Sequence, residues 1–161
     1  MKRAFPIAAT AVGVLCAAPA ADASIVVQKS IAGVSIGMDR AQVQEVLGKP
    51  SAVRTETSEI FGKYTVLRYG LTEVSLFRGD QPTVFALTTR SKKQRTSNDV
   101  GVGSSEKVLR RRIKGLKCTT YAKTHRMCTR GGFKPGDRVT DFRISTKTRR
   151  VTRVSIGIVI D

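Results

Sequence analysis

Val34-Ser35-Ile36-Gly37 and, sixty-six positions later, Val100-Gly101-Val102-Gly103 frame the reading of this 161-residue chain. Each segment is apolar at alternate positions, ends in glycine and leads into a short helical pattern. In the first, Asp39 stands at the N-cap position with Gln42 three residues on, the arrangement of a capping box, and Val43, Val46 and Leu47 share one face. Gly48 and Pro50 stop the run. In the second, Ser105 takes the capping place, Val108, Leu109 and Ile113 are the apolar positions, and Gly115 ends the helix. Arg110, Arg111 and Arg112 are then turned largely outward.

The strands echo each other in the same way. Leu71 to Leu76 matches Val139 to Ile144, with apolar residues alternating in both, as a sheet with one wet face requires. Val84 to Thr88 resembles Arg153 to Gly157. The first half reads as a helix followed by strands near Ala52 to Thr57, Tyr64 to Tyr69, Leu71 to Phe77 and Thr83 to Thr89, with turns at Gly62, Gly70 and Gly79-Asp80. The second half has strands at Cys118 to Lys123, Met127 to Thr129, Val139 to Ile144 and Arg153 to Gly157. These similarities predict an α+β fold: a tandem duplication of a short helix plus an antiparallel meander sheet, with units at 24–95 and 96–161 joined through the polar stretch Ser91 to Asp99.

The first residues read as a signal peptide. Lys2 and Arg3 form its positive end, an apolar small-residue stretch follows from Ala4 to Ala18, and Ala21-Asp22-Ala23 fits cleavage after Ala23. The rival, acylation of Cys16 in a lipoprotein leader, is disfavoured by Leu15 immediately before it. No later segment is long and apolar enough to span a membrane. The expectation is an exported protein, secreted or held in the periplasm or cell envelope.

The chain carries 29 basic and 12 acidic residues, a formal charge of +17. Such a balance attracts polyanions at long range, although it also serves solubility. The basic residues fall in three runs: Lys92-Lys93-Gln94-Arg95; Arg110, Arg111, Arg112 and Lys114 with Lys117; and Lys147-Thr148-Arg149-Arg150 with Arg153. No ring is interleaved in these runs, which argues against a nucleic-acid platform built on base stacking.

Beyond the leader, Cys118 and Cys128 are the two cysteines, and export would oxidise them to a disulfide tying neighbouring strands. A redox pair would sit as Cys-x-x-Cys, and zinc would need more ligands than these two and His125. Catalysis is poorly provided for. His125 is the single histidine, and the pairs Glu56 with Glu59 and Glu73 with Asp141 lie in strand or turn patterns lacking the apolar surroundings that raise a carboxyl pKa. Val100-Gly101-Val102-Gly103 lacks the third glycine and the lysine of a phosphate loop. No catalytic residue, metal ligand or cofactor is expected.

Ile36-Gly37-Met38-Asp39-Arg40-Ala41-Gln42-Val43-Gln44-Glu45-Val46-Leu47-Gly48-Lys49-Pro50 resembles the SmpA/OmlA (BamE-like) family, whose hallmarks are a Gly-Met turn, a short Gln-Val-containing helix and a Leu-Gly-x-Pro stop. Two such units in tandem look like the β-lactamase inhibitory protein fold, and the resemblance implies a curved sheet that offers a binding face. The expected function is a non-catalytic binding or scaffold protein of the cell envelope, docking on an envelope protein or an anionic polymer or lipid surface. Arg110, Arg111, Arg112, Lys114 and Lys117 are the candidate contacts for an anionic partner. The alternative is an inhibitor of a secreted hydrolase, with Tyr64, Tyr69, Phe77 and Phe85 as interface anchors.

Overall fold

A computed structural model of the chain describes residues 24–160 apart from positions 61 and 122. The expected signal peptide, its cleavage point and Cys16 lie outside the described residues. The elements run in the order β1 Ile25–Val26, β2 Ser30–Ile31, β3 Val34–Ser35, α1 Arg40–Leu47, β4 Ala52–Ser58, β5 Gly62–Tyr69, β6 Thr72–Phe77, β7 Val84–Thr89, α2 Glu106–Arg112, β8 Lys117–Tyr121, β9 His125–Arg130, β10 Arg138–Ser145 and β11 Val151–Ile158. No described helix is long and apolar enough to cross a membrane.

The α+β expectation of two small helix-and-meander units, BamE-like in character, is corrected by this architecture. Strand dominates, and β4 to β11 form one eight-stranded antiparallel sheet in the order β4-β5-β6-β7-β11-β10-β9-β8. The strands expected to be the outer members of two separate sheets, β7 and β11, meet at its centre. They pair through Val154↔Thr89, Ser155↔Thr88, Ile156↔Leu87 and Gly157↔Ala86. The physical reason is that both edges are apolar on the same side and open along their backbones. Pairing them satisfies the free N–H and C=O groups that an edge would leave exposed. A three-stranded ribbon, β1-β2-β3, also precedes α1 where no strand ladder was anticipated.

Register sorts the side chains onto two faces. One cross-strand row runs Tyr69, Thr72, Thr89, Val154, Phe142, Cys128, Cys118. Its neighbour, on the opposite face, runs Arg68, Glu73, Thr88, Ser155, Asp141, Thr129, Lys117. The first face is covered. Leu67, Val74, Leu87, Phe142, Ile144, Val154 and Ile156 pack there against Ile25, Ile31 and Val34 of the ribbon, Val43 of α1, Val100, Val102, Leu109 of α2, and Ile113 in one core. Each such side chain contributes about 1.5–3 kcal/mol on burial. The second face is the open one.

Both helices are short and are placed by the chain that enters them. Asp39 accepts from the Gln42 N–H at 2.9 Å, and the Gln42 side chain accepts from the Asp39 N–H at 2.9 Å. Ser105 accepts from the Val108 N–H at 3.3 Å. Gly37 and Gly103, with φ of +91° and +92°, turn the chain into these caps, a conformation that suits glycine. Each donates its N–H at 2.8 Å to the first residue of a central strand, Gly37 to Val84 and Gly103 to Val151. The repeated glycine motif thus anchors the helix entries to the two strands that meet at the middle of the sheet.

Candidate functional site

The open face divides into an aromatic end and a charged end. At the first, Tyr64 of β5 lies opposite Phe77 of β6. Register between β6 and β7 slips after Ser75, so that Leu76 pairs with Val84 and Phe85 becomes an extra residue. A bulge of this kind re-aims a side chain, and Phe85 lands on the same side as its aromatic neighbours. Its ring stacks on Phe77 at 4.5 Å and meets Tyr64 edge-on at 5.4 Å. Phe85 and Val66 are buried yet stand apart from the main core, covered by their own neighbours on this face.

A polar chain extends from the cluster. The Tyr64 hydroxyl donates to Glu56, Arg54 pairs with Glu56 at 2.6 Å, and the same guanidinium reaches Glu73 at 3.1 Å. The Tyr64 hydrogen bond, then Arg54, hold the Glu56 carboxyl below its usual range. Reciprocally, the bond to Glu56 pushes the Tyr64 phenol up. Of the four expected aromatic anchors, Tyr64, Phe77 and Phe85 are therefore brought together. Tyr69 is not: it points to the covered face and packs against the core, and its buried hydroxyl finds no hydrogen-bond partner among the described residues.

At the charged end, Arg143 of β10 stands directly opposite Arg153 of β11. Arg90, which is exposed, lies one residue beyond the end of β7, after Thr89, which pairs with Val154. No carboxylate among the described residues lies within ion-pair distance of these three, whereas Arg54, Arg95, Arg110, Arg112, Arg126 and Arg149 each have one. Burial pushes the Arg153 guanidinium below its usual value, and repulsion from Arg143 and Arg90 adds to this, against the pull of Asp141 and Glu73. The two acids are otherwise engaged: Thr129 donates to Asp141 at 2.5 Å and Arg54 holds Glu73. His125 sits half-buried beside this row, its ring stacked on Tyr121 and its Nδ1 3.4 Å from Arg143.

The basic residues singled out around α2 are dispersed by the fold. Arg110 pairs with Glu106 and Arg112 with Asp99, while Arg111 and Lys114 are exposed. Arg112 lines two neighbouring clefts, one with Lys92, Arg95 and Arg150 and the other with Lys114 and Arg130. Its charge is largely spent on Asp99 and on the Asn98 and Asp99 carbonyls. Lys117 belongs to the open-face row, with its ammonium 5.7 Å from the Phe133 ring.

Sequence reasoning passed over two features. Arg90 and Arg143 were not singled out, because their significance appears only when register sets Arg143 beside Arg153; their outward positions in alternating strands were the available signal. Glu106 was also missed. It is 6% exposed and is ringed by Arg110, Arg126 and Arg149 at 3.6, 3.3 and 2.9 Å. Its carboxylate lies within 4.8 Å of both disulfide sulfurs. Those sulfurs are bonded to each other, as the Cys118–Cys128 pair was expected to be, and the three guanidinium groups make this a place for a structural anion.

No protein-family model matches the chain, and a comparison with the curated proteins finds no match. Among solved structures, the fold is similar to part of an extracellular protein containing a SCP domain from Bacillus anthracis str. Ames, with 12% sequence identity and a TM-score of 0.52. The similarity covers 76% of this chain and 44% of that one, so this chain spans less than half the length of that protein. At this identity the likeness concerns the fold alone.

Proposed function

We propose that the chain is an exported, non-catalytic binding protein of the cell envelope, which docks through the open face of its sheet on an envelope protein or an anionic polymer. The observation that carries this reading is the asymmetry of the sheet. One face is sealed by the ribbon, the helices and their connectors, whereas the other carries the half-buried rings of Tyr64 and Phe77 over buried Phe85 at one end and the Arg143–Arg153 pair at the other. A wide exposed face with apolar rings and fixed charge is the anatomy of an interface, with rings as anchors and charges as orienting contacts. The disulfide and the strongly basic surface support export and an acidic counterpart.

The aromatic cluster favours one specific form of this reading, an inhibitor that covers the active-site mouth of a secreted hydrolase with Tyr64 and Phe77 at the contact. Both forms use the same face. Site-specific photo-cross-linking in intact cells tests it: a photoreactive residue at Thr88 should capture a discrete partner, and one at Arg111, on the opposite side of the molecule, should not. Capture from Arg111 and none from Thr88 would refute docking through the sheet.

A further inference from the structure

The geometry points to a carboxylate-binding site on the open face, formed by Arg90, Arg143 and Arg153 and shaped to receive an acidic segment of a protein partner. This rests on the docking reading above and names the chemistry at its charged end. Arg143 and Arg153 stand opposite each other on β10 and β11, adjacent strands about 4.8 Å apart, and Arg90 follows the end of β7, the next strand in the sheet. Like charges placed directly opposite each other across a sheet are destabilising. The fold nevertheless sets Arg143 directly opposite Arg153, both half-buried, and leaves them and Arg90 without a carboxylate in ion-pair reach among the described residues.

The acids nearest the row, Asp141 and Glu73, attract Arg153 from beyond ion-pair distance, while Asp141 accepts from Thr129 and Glu73 pairs with Arg54. The row is thus only partly compensated and lacks a direct ion pair among the described residues, and it is half-buried at Arg143 and Arg153, where charge-assisted hydrogen bonds are stronger than in open water. Beside it, at the β7–β11 seam, the Thr88 and Ser155 hydroxyls lie 3.0 Å apart and offer neutral hydrogen bonds to the same ligand. Arginine forks match carboxylates two bonds at a time. The spacing of the row suits successive acidic side chains of an extended or loop segment. The aromatic end of the same face selects a protein over a phosphate polymer, since it provides an apolar anchor a few strands away that a chain of phosphates would leave unused.

The test is an NMR titration of the oxidised protein, reading the arginine Nε–Hε signals while a blocked tetraglutamate peptide is added, with inorganic phosphate and phosphatidylglycerol vesicles as separate arms. The peptide should move Arg90, Arg143 and Arg153 most. Arg143→Gln or Arg153→Gln should weaken binding roughly tenfold, and Arg111→Gln with Lys114→Gln should leave it within about twofold. Equal losses from both sets, or a response to phosphate or vesicles with none to the peptide, would overturn the assignment.

A second readout needs no ligand: Arg153→Gln should raise Tm by relieving the like-charge row, and a lowered or unchanged Tm would count against it. Should the peptide leave the row untouched while Thr88 still captures a partner in cells, the carboxylate assignment falls and the docking reading stands.

Discussion

Breaking the Cys118–Cys128 bridge should lower stability by about 3 kcal/mol without dismantling the sheet. The cysteines face each other across β8 and β9 with a sequence separation of 10. Releasing a closed loop of that size returns to the unfolded chain an entropy worth about 2.8 kcal/mol at 25 °C. For a domain of this length such a loss lowers Tm by roughly 10 °C. Reduction of the native protein isolates this effect, because both sulfurs stay in place. Cys118→Ser with Cys128→Ala should lose somewhat more, since Cys128 is fully buried and its removal leaves a small void.

The assay is urea unfolding of the oxidised, reduced and doubly substituted forms, followed by hydrogen exchange. β8 is an edge strand held on one side only. Its amides and those of β9 should therefore lose protection first while β5 to β7 keep theirs. Oxidised and reduced forms whose unfolding free energies agree to within about 0.5 kcal/mol would refute the loop argument. Global loss of protection on reduction would refute the claim that the bridge ties strands already held by the sheet.

Tyr69→Phe removes a buried hydroxyl with no partner among the described residues and should leave stability unchanged or raise it by up to about 1 kcal/mol in denaturant unfolding. Glu106→Ala should cost about 2–4 kcal/mol by the same measurement, because it strands Arg126 and frees Arg110 and Arg149 of their shared carboxylate; Phe142→Ala, in the core, should cost about 3–5 kcal/mol. The Glu56 carboxyl is depressed in the folded state, so its stabilisation is complete above the unfolded value near 4.3 and disappears as pH falls through the folded one. The Tm difference between the native protein and Glu56→Gln should accordingly be full at about pH 6 and narrow progressively as pH falls below about 4.3; a constant gap would contradict the assignment.

Much of the local structure was legible in the sequence, and the failures share one physical origin. The Asp39–Gln42 capping box, the glycine turns at Gly37 and Gly103 and the alternating strands depend on interactions a few residues apart. Such interactions leave periodic signals in the chain. The meeting of β7 and β11 depends on residues some seventy positions apart, and alternation shows which side of a strand is apolar without showing which edge it joins.

The same limit explains the candidate site. Tyr69 looked equivalent to Tyr64, yet five residues along a strand of period two put it on the opposite face. Arg143 and Arg153 became a pair only through the register of the β10–β11 hairpin. The basic run on α2 was conspicuous in the sequence, but the fold partly neutralises it with Glu106 and Asp99, which are themselves unremarkable in the chain.

The continuity of the open face depends on the seam between β7 and β11, and backbone NOEs across it examine that seam directly. Cross-strand NOEs linking Thr88 with Ser155 and Leu87 with Ile156, and slowly exchanging amides on both strands, are the predicted result. NOEs confined to β4–β7 and to β8–β11, with β7 and β11 exchanging as free edges, would show two separate sheets and contradict the account.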